Sequence, residues 1–196
     1  KLFIQGYWTS NQNMKPVLYN AGIENNPSSL LTDSITVELR EQTIANNYPL
    51  LAICKSLIKR DGTVSCTFPI TLIGKNAYLV IQHRNAIETW SANPLLITSS
   101  FTNGIQYDFS TAANQAFGGN QTEVMPGIYA LFSGDIEKDA SESIDLSDVS
   151  RIELDNSNFV FGYFATDING DGNVDLEDLP LVEMNNTNFI FSTHPE

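Results

Sequence analysis

The residues whose types and spacing promise chemistry lie near the end of the chain, in Asp167-Ile168-Asn169-Gly170-Asp171-Gly172-Asn173-Val174-Asp175-Leu176-Glu177-Asp178. Side-chain oxygens recur at positions 1, 3, 5, 9 and 12 of this stretch, on Asp167, Asn169, Asp171, Asp175 and Asp178, and Asn173 at position 7 offers a backbone carbonyl. A hard divalent cation of calcium's size takes about six to eight oxygens, and a short loop with this alternation supplies them. Gly172 at position 6 allows the sharp turn such a loop needs, and Val174 at position 8 is free to pack inward. Position 12 usually carries a bidentate Glu. Asp178 is one methylene shorter, so the loop must close more tightly or bind with one oxygen. An Asn/Asp/Gly-rich surface turn needs no oxygens at regular intervals, and the spacing therefore predicts a calcium site.

A second copy lies thirty residues upstream. Ile144-Asp145-Leu146-Ser147-Asp148 aligns with Val174-Asp175-Leu176-Glu177-Asp178, and Asp155-Asn156-Ser157-Asn158-Phe159-Val160-Phe161 aligns with Asn185-Asn186-Thr187-Asn188-Phe189-Ile190-Phe191. Two loop-plus-helix units follow from this repeat, with helices over 147–155 and 177–185, the second tolerating Pro180 near its first turn. In the first unit Asp135, Glu137 and Asp139 take positions 1, 3 and 5. Ala140 then stands where Gly is expected, and Ser141 and Glu142 are extra. If those two bulge out, Ser143 supplies the carbonyl, Asp145 takes position 9 and Asp148 position 12. A loop so lengthened is expected to bind calcium more weakly or not at all.

The elements that must position these loops are of a different kind. Residues 1–131 hold eight acids and eight bases, whereas 132–196 hold fifteen acids and two bases, Lys138 and Arg151. Acidity confined to one segment suits a cation site or a switchable binding face and excludes nucleic acid as a partner. No run of about 18 apolar residues exists, so no membrane span is expected, and no signal peptide is visible. Strand-like runs occur at 2–7, 17–20, 34–40, 50–58, 63–72, 77–82, 95–98, 105–109 and 128–132, with Ile35, Val37 and Leu39 alternating against Thr36, Glu38 and Arg40. Short strands at this spacing predict an antiparallel Ig-like β-sandwich over 1–131, followed by a small α-helical unit over 132–196. Cys54 and Cys66 flank the turn Arg60-Asp61-Gly62, which leaves open either a disulfide or two buried thiols. The five phenylalanines Phe159, Phe161, Phe164, Phe189 and Phe191 are expected to pack between the repeats or onto the sandwich.

Enzyme chemistry finds little support. With two histidines in the chain, no Ser/His/Asp set can be assembled, no glycine-rich phosphate loop is present, and metal ligation accounts for the clustered carboxylates. His83-Arg84-Asn85 and Thr89-Trp90-Ser91 stand out. Trp90 is read either as a sugar-stacking platform or as a core residue whose indole nitrogen is satisfied locally; Tyr7 and Trp8 invite the same two readings.

The duplicated loop–helix, with Asp at position 12 and no evident entering helix, resembles a type I dockerin, whose loops are of the EF-hand kind. The resemblance covers about residues 132–196 and is stronger in the second copy. It implies a calcium-dependent module that docks onto a cohesin-like protein partner. Residues 77–131, with His83-Arg84-Asn85, Tyr107-Asp108-Phe109-Ser110 and Ala116-Phe117-Gly118, are similar to C-terminal regions of large secreted proteins of Bacteroidetes-type bacteria, which implies a secreted or cell-surface location. The expectation is a non-catalytic, calcium-stabilised extracellular module for protein–protein attachment, with two calcium ions bringing the net charge of the tail from −13 to −9. Two alternatives are kept. One is a fibre or adhesin subunit that pairs through an edge strand over 1–7 with a neighbouring copy; the other is a carbohydrate-binding module taking a glycan on Trp8 or Trp90.

Overall fold

A computed structural model describes residues 1–43, 47–99 and 104–195. Its elements, in chain order, are β1 (Trp8–Thr9), β2 (Asn13–Met14), α1 (Val17–Asn20), β3 (Leu31–Glu41), β4 (Leu50–Lys59), β5 (Asn76–Gln82), β6 (Thr89–Trp90), β7 (Leu95–Leu96), β8 (Thr122–Met125), β9 (Ile128–Ala130), α2 (Leu146–Ser157) and α3 (Leu179–Thr187), with short 3-10 turns between several of them. The period-two alternation around Ile35, Val37 and Leu39 does what such a pattern should: all three side chains are buried on one face of β3. This strand is the centre of an antiparallel sheet of order β4-β3-β5-β6, with β7 also on β5; Val37 faces Cys54 on one side and Ile81 on the other. Two small antiparallel hairpins, β1–β2 and β8–β9, complete the strand inventory of the described residues. The chain is thus strand-rich and antiparallel.

Several expected strands take other forms, each for a local reason. Residues 17–20 make a single helical turn because Pro16 leads into it, its carbonyl accepting from both Tyr19 and Asn20 amides, while Val17 and Leu18 are buried. Residues 63–69 run extended beside β4 without a ladder, then turn at Ile70–Leu72 after Pro69, whose nitrogen has no proton to donate. Near residue 109 a 3-10 turn replaces the strand, capped by the Asp108 carboxylate accepting from the Ser110 amide. Cys54 and Cys66 are joined in a disulfide with their α-carbons 5.9 Å apart, fastening the extended segment to β4.

The first residues are internal rather than free. Leu2, Phe3 and Ile4 are buried, the Leu2 amide donates to Gly62 O, and the stretch pairs with Leu131 through Gln5 N and Phe3 O. The segment 1–7 therefore offers no unpaired edge. Its side chains join Tyr7, Met14, Val17, Ile35, Val37, Ile81, Phe109 and Leu131 in the main core.

A second apolar cluster holds the tail together: Ile144, Ile152, Ile168, Val174 and Val182, joined by Ile87 from the loop after β5. In α2 the start is marked by a reciprocal cap, with Asp145 accepting from the Ser147 amide and Asp148 accepting from the Asp145 amide. The repeat is visible in the cross-links between units. Ser143 bridges to Phe191 and Asn173 to Phe161, while the Ile144 amide donates to Ile190 O and the Val174 amide to Val160 O. Each loop is thus zipped to the segment that follows a helix, in a pseudo-twofold pair. The expectation that the five tail phenylalanines are covered is corrected: Phe159 is 85% exposed, Phe189 82% and Phe161 75%, with Phe164 and Phe191 also exposed.

Candidate metal centre

The second loop is wrapped around two buried carboxylates. Asp167 and Asp178 are both fully buried. Asp167 Oδ1 accepts from the Gly170 and Asp171 amides at 2.8 and 3.1 Å, and Oδ2 accepts from Gly172 N at 3.2 Å. Asp178 Oδ1 accepts from Ile168 N and Asn169 N at 2.8 and 2.9 Å, and Oδ2 from Asp175 N at 3.0 Å. This answers the question of the short residue at position 12: the carboxylate ties positions 2, 3 and 9 of its own loop. Asp148 does the same in the first loop, accepting from Ile136, Glu137 and Asp145 amides at 2.7, 3.0 and 2.9 Å.

The other positions are turned onto neighbouring amides. Asn169 Oδ1 accepts from Asp171 N and from Lys15 Nζ, Asp171 Oδ1 from Asn173 N, and Asp175 Oδ1 from Glu177 N. Among the described residues no three acidic, histidine or cysteine side chains converge on a point as metal ligands would. The donor set nevertheless suits calcium. Asp167 Oδ2 and Asp178 Oδ2 each accept a single amide and keep acceptor capacity, whereas the Oδ1 atoms already accept two. Amide and backbone oxygens count as calcium ligands, and none of Asp167, Asp171, Asp175 and Asp178 has an ion-pair partner among the described residues. Burial pushes the Asp167 and Asp178 carboxyls up to about 6; at Asp167 Arg84 opposes the rise and Asp178 adds to it. Asp167, Asn169, Asp171, Asp175 and Asp178, with the Asn173 carbonyl, would hold the ion, and its charge would offset that desolvation.

The first loop is built differently. Asp135 accepts from Lys138 Nζ at 2.8 Å, and that ammonium also donates to Ala86 O at 2.6 Å. No backbone amide donates to Asp135 among the described residues, so nothing curls round it as the second loop curls round Asp167. Glu137 lies 3.7 Å from Arg151, Asp139 accepts from the Ser141 amide, and Asp145 is occupied as the cap of α2. The two extra residues are accommodated at Glu142, which is exposed and carries φ +48°; Ser143, at position 7, hydrogen-bonds through its hydroxyl to Ser141.

What holds the second loop in place was invisible from its own residues. A Cβ on Gly6 would stand 2.1 Å from Ile168 O, and one on Gly172, whose φ is +92°, would stand 2.3 Å from Asn20 O. Asn20 Nδ2 donates to Gly170 O at 2.7 Å. Asn85 Nδ2 donates both to Tyr7 Oη at 3.1 Å and to Asp167 O at 3.0 Å. Beside it, Arg84 Nε donates to the buried Asp33 carboxylate at 2.9 Å, with His83 Nε2 at 3.2 Å and the Tyr163 hydroxyl on the other oxygen. The guanidinium stacks 4.5 Å from the Tyr163 ring centre. His83-Arg84-Asn85, singled out in the sequence beside Trp90, is therefore a buried polar hub joining β3 to the second loop of the tail. Burial would raise the Asp33 carboxyl, but His83, Arg84 and Tyr163 together hold it well below the usual carboxylate range; burial pushes the His83 imidazole down.

Trp90 is 5% exposed, its indole Nε1 donating to Glu88 at 2.7 Å and its ring packed on Tyr48 and Tyr78. It presents no stacking face for a sugar; Trp8 is half-buried against Phe3. Among the described residues no helix is long and apolar enough to cross a membrane. Set against known protein families, curated proteins and solved structures, the chain matches none.

Proposed function

We propose that this chain is a non-catalytic, calcium-stabilised extracellular module that attaches or assembles proteins, with the second loop as its metal centre and the doubled apolar face of the tail as its docking surface. The observation that carries the reading is the repetition of one exposed pattern. Leu146 and Leu176, Leu154 and Met184, Phe159 and Phe189, and Phe161 and Phe191 are four pairs related by the repeat, and all eight side chains are exposed. Large apolar groups scattered singly are ordinary on a protein surface, whereas grouped ones point to an interaction site. Leu146, Phe189 and Phe191 line one common groove, and the repeat supplies a matching set in Leu176, Phe159 and Phe161.

Backbone strain supports the same conclusion. Phe159 and Phe189 follow the ends of α2 and α3 with φ of +54° and +53°. Each helix closes there with the same bonds, Phe159 N to Asn156 O and Phe189 N to Asn186 O, then Val160 N to Asp155 O and Ile190 N to Asn185 O. That left-handed position is normally glycine, and a bulky side chain there costs about 1–2 kcal/mol. Two phenylalanines held in an unfavourable conformation and aimed at solvent do nothing for stability, which leaves recognition as their use. The disulfide fits an oxidising, extracellular setting.

The test is site-specific photo-crosslinking on the intact protein at the surface of cells that secrete it. A photoreactive phenylalanine analogue replaces Phe159 or Phe189, with Thr111, exposed on the opposite kind of surface, as control. Discrete adducts at both phenylalanine positions in calcium, absent at Thr111 and lost in chelator, are expected. Equal labelling at all three positions would refute an attachment face there.

A further inference from the structure

We propose that the tail takes up a single divalent cation, in its second loop, and that the first loop is closed without metal by Lys138 and Arg151 acting as built-in counter-ions. The inference rests on the calcium reading of the second loop and goes beyond it, because the insertion in the first loop predicts weaker binding at most and does not say what takes the place of the metal there.

The distribution of charge carries the argument. The tail has two basic residues, Lys138 and Arg151, and both belong to the first repeat. Lys138 Nζ sits on the position-1 carboxylate, Asp135, at 2.8 Å, and Arg151 lies 3.7 Å from the position-3 carboxylate, Glu137, and 3.4 Å from Asp155. In the second loop the five acids, Asp167, Asp171, Asp175, Glu177 and Asp178, have no ion-pair partner among the described residues. The nearest ammonium there, Lys15, reaches the neutral amide oxygen of Asn169 at 3.3 Å. One loop carries its own cations; the other has none.

Backbone geometry agrees. Lys138 occupies position 4 of its loop, the place held by Gly170 in the second. A Cβ at Gly170, whose φ is +74°, would stand 2.6 Å from Val17 and 2.7 Å from Tyr7, so no lysine fits there. At position 4 of the first loop the side chain instead spans to the buried Ala86 carbonyl, anchoring the loop to the segment after β5. Three amides surround Asp167, and none of the described amides donates to Asp135. The first loop keeps the Asp148 clasp that shapes it while its position-1 carboxylate is spent on an ammonium, so a metal would have to displace Lys138 and reshape the loop.

The experiment is calcium titration calorimetry on the full chain, with thermal unfolding of the same samples in chelator and in calcium. The wild type is expected to take up one equivalent, lost in Asp171→Ala and retained in Asp139→Ala. Lys138→Met, a change at a solvent-accessible side chain, should lower the Tm in chelator by about 3 °C or more and make the protein recover more stability from calcium than the wild type does; Lys138→Arg should behave as the wild type. Two equivalents in the wild type, one of them lost in Asp139→Ala, would overturn this inference and leave the second-loop reading standing. Uptake of no calcium by the wild type would overturn both. An unchanged Tm for Lys138→Met in chelator would overturn the counter-ion role even with a single equivalent bound.

Discussion

Replacing Gly6 with alanine should unseat the loop 167–178 from the rest of the molecule, and the geometry says by how much. The added methyl group would stand 2.1 Å from Ile168 O, 3.1 Å from Ile168 C and 3.3 Å from Ile168 Cγ2. No left-handed φ is involved at this residue, so conformational strain does not enter. The obstacle is a backbone carbonyl, which cannot rotate aside, and ordinary contact requires the two segments to part by about 1 Å. Overpacking of this kind costs about 1–3 kcal/mol. The parting also stretches the bond from Gly6 N to Ser133 Oγ and that from Asn85 Nδ2 to Asp167 O, each now 3.0 Å and each worth about 1 kcal/mol. A loss of about 3 kcal/mol results, which for a chain of this length lowers Tm by about 6–12 °C. Circular dichroism melts in chelator read it without interference from metal. Gly74→Ala is the control: its φ is +91° and its Cβ would meet nothing within 4 Å, so only strain of about 1–2 kcal/mol applies. If Gly6→Ala melts no lower than Gly74→Ala, the loop is not seated on residues 1–6 as described.

Three further outcomes are expected. Phe159→Gly and Phe189→Gly should each raise Tm by about 2–4 °C, from relief of about 1 kcal/mol of left-handed strain, while abolishing crosslinking from the remaining apolar face; a fall in Tm at both would remove the strain argument. Asp33→Ala leaves the Arg84 guanidinium buried without its carboxylate and should cost about 3–5 kcal/mol, read by urea unfolding; the wild type should lose stability on acidification for a related reason. His83 is lowered by burial, so its contribution is complete above its ordinary value of 6.5 and is lost as pH falls below it; Asp33 is also lowered, and its contribution is complete above 3.8 and is lost below that. Asp167 and Asp178, raised to about 6, act in the opposite sense between pH 6 and pH 3.8, so the sign is read below pH 3.8, where stability that rises on further acidification would contradict the Asp33 assignment. Reduction of the Cys54–Cys66 bond, which closes a loop with a sequence separation of 12, should lower stability by about 3 kcal/mol, measured as the difference between denaturant midpoints with and without reductant.

The parts of this molecule that were legible in the sequence are those whose cause is local. Period-two alternation at Ile35, Val37 and Leu39 is a local pattern, and β3 follows from it. Helices α2 and α3 were legible because the thirty-residue repeat places one after each loop, whereas the cap that Asp145 and Asp148 form on α2 was read only as a pair of metal ligands. What failed had a distant cause. Residues 17–20 have strand-forming side chains, yet Pro16 and the burial of Val17 and Leu18 make them a helical turn. The phenylalanines were expected inside because apolar side chains usually are, and only the αL turns after both helices show that the chain holds them out. His83-Arg84-Asn85 drew notice by its polarity, but its partners Asp33, Tyr163 and Asp167 are 50 or more residues away in sequence. The one missed signal that was on the page is that both bases of the tail, Lys138 and Arg151, lie in the first repeat.

The hub also gives a reason for building the proposed metal loop onto a sheet. Seating and ion binding use the same atoms. Asn85 holds the Asp167 carbonyl, Asn20 holds that of Gly170, and Gly6 packs on that of Ile168, so three carbonyls in the first four residues of the loop are fixed from outside before any ion arrives. A site whose ligands are already placed binds with less ordering entropy. The loop in turn closes a buried pair, Asp167 and Asp178, whose desolvation is unfavourable without a cation. By linkage, whatever free energy seating adds to calcium affinity, calcium adds to seating. If the loop takes an ion as proposed, removing it would loosen the contact between loop and sheet, and with it the orientation of the exposed phenylalanines that follow α2 and α3. The first loop, closed by its own lysine and anchored at Ala86, stays in place and acts as the fixed half of the tail. On the proposed reading, an apolar face made of one fixed and one calcium-set half would bind its target fully only where calcium is plentiful, which would suit an attachment device that assembles outside the cell.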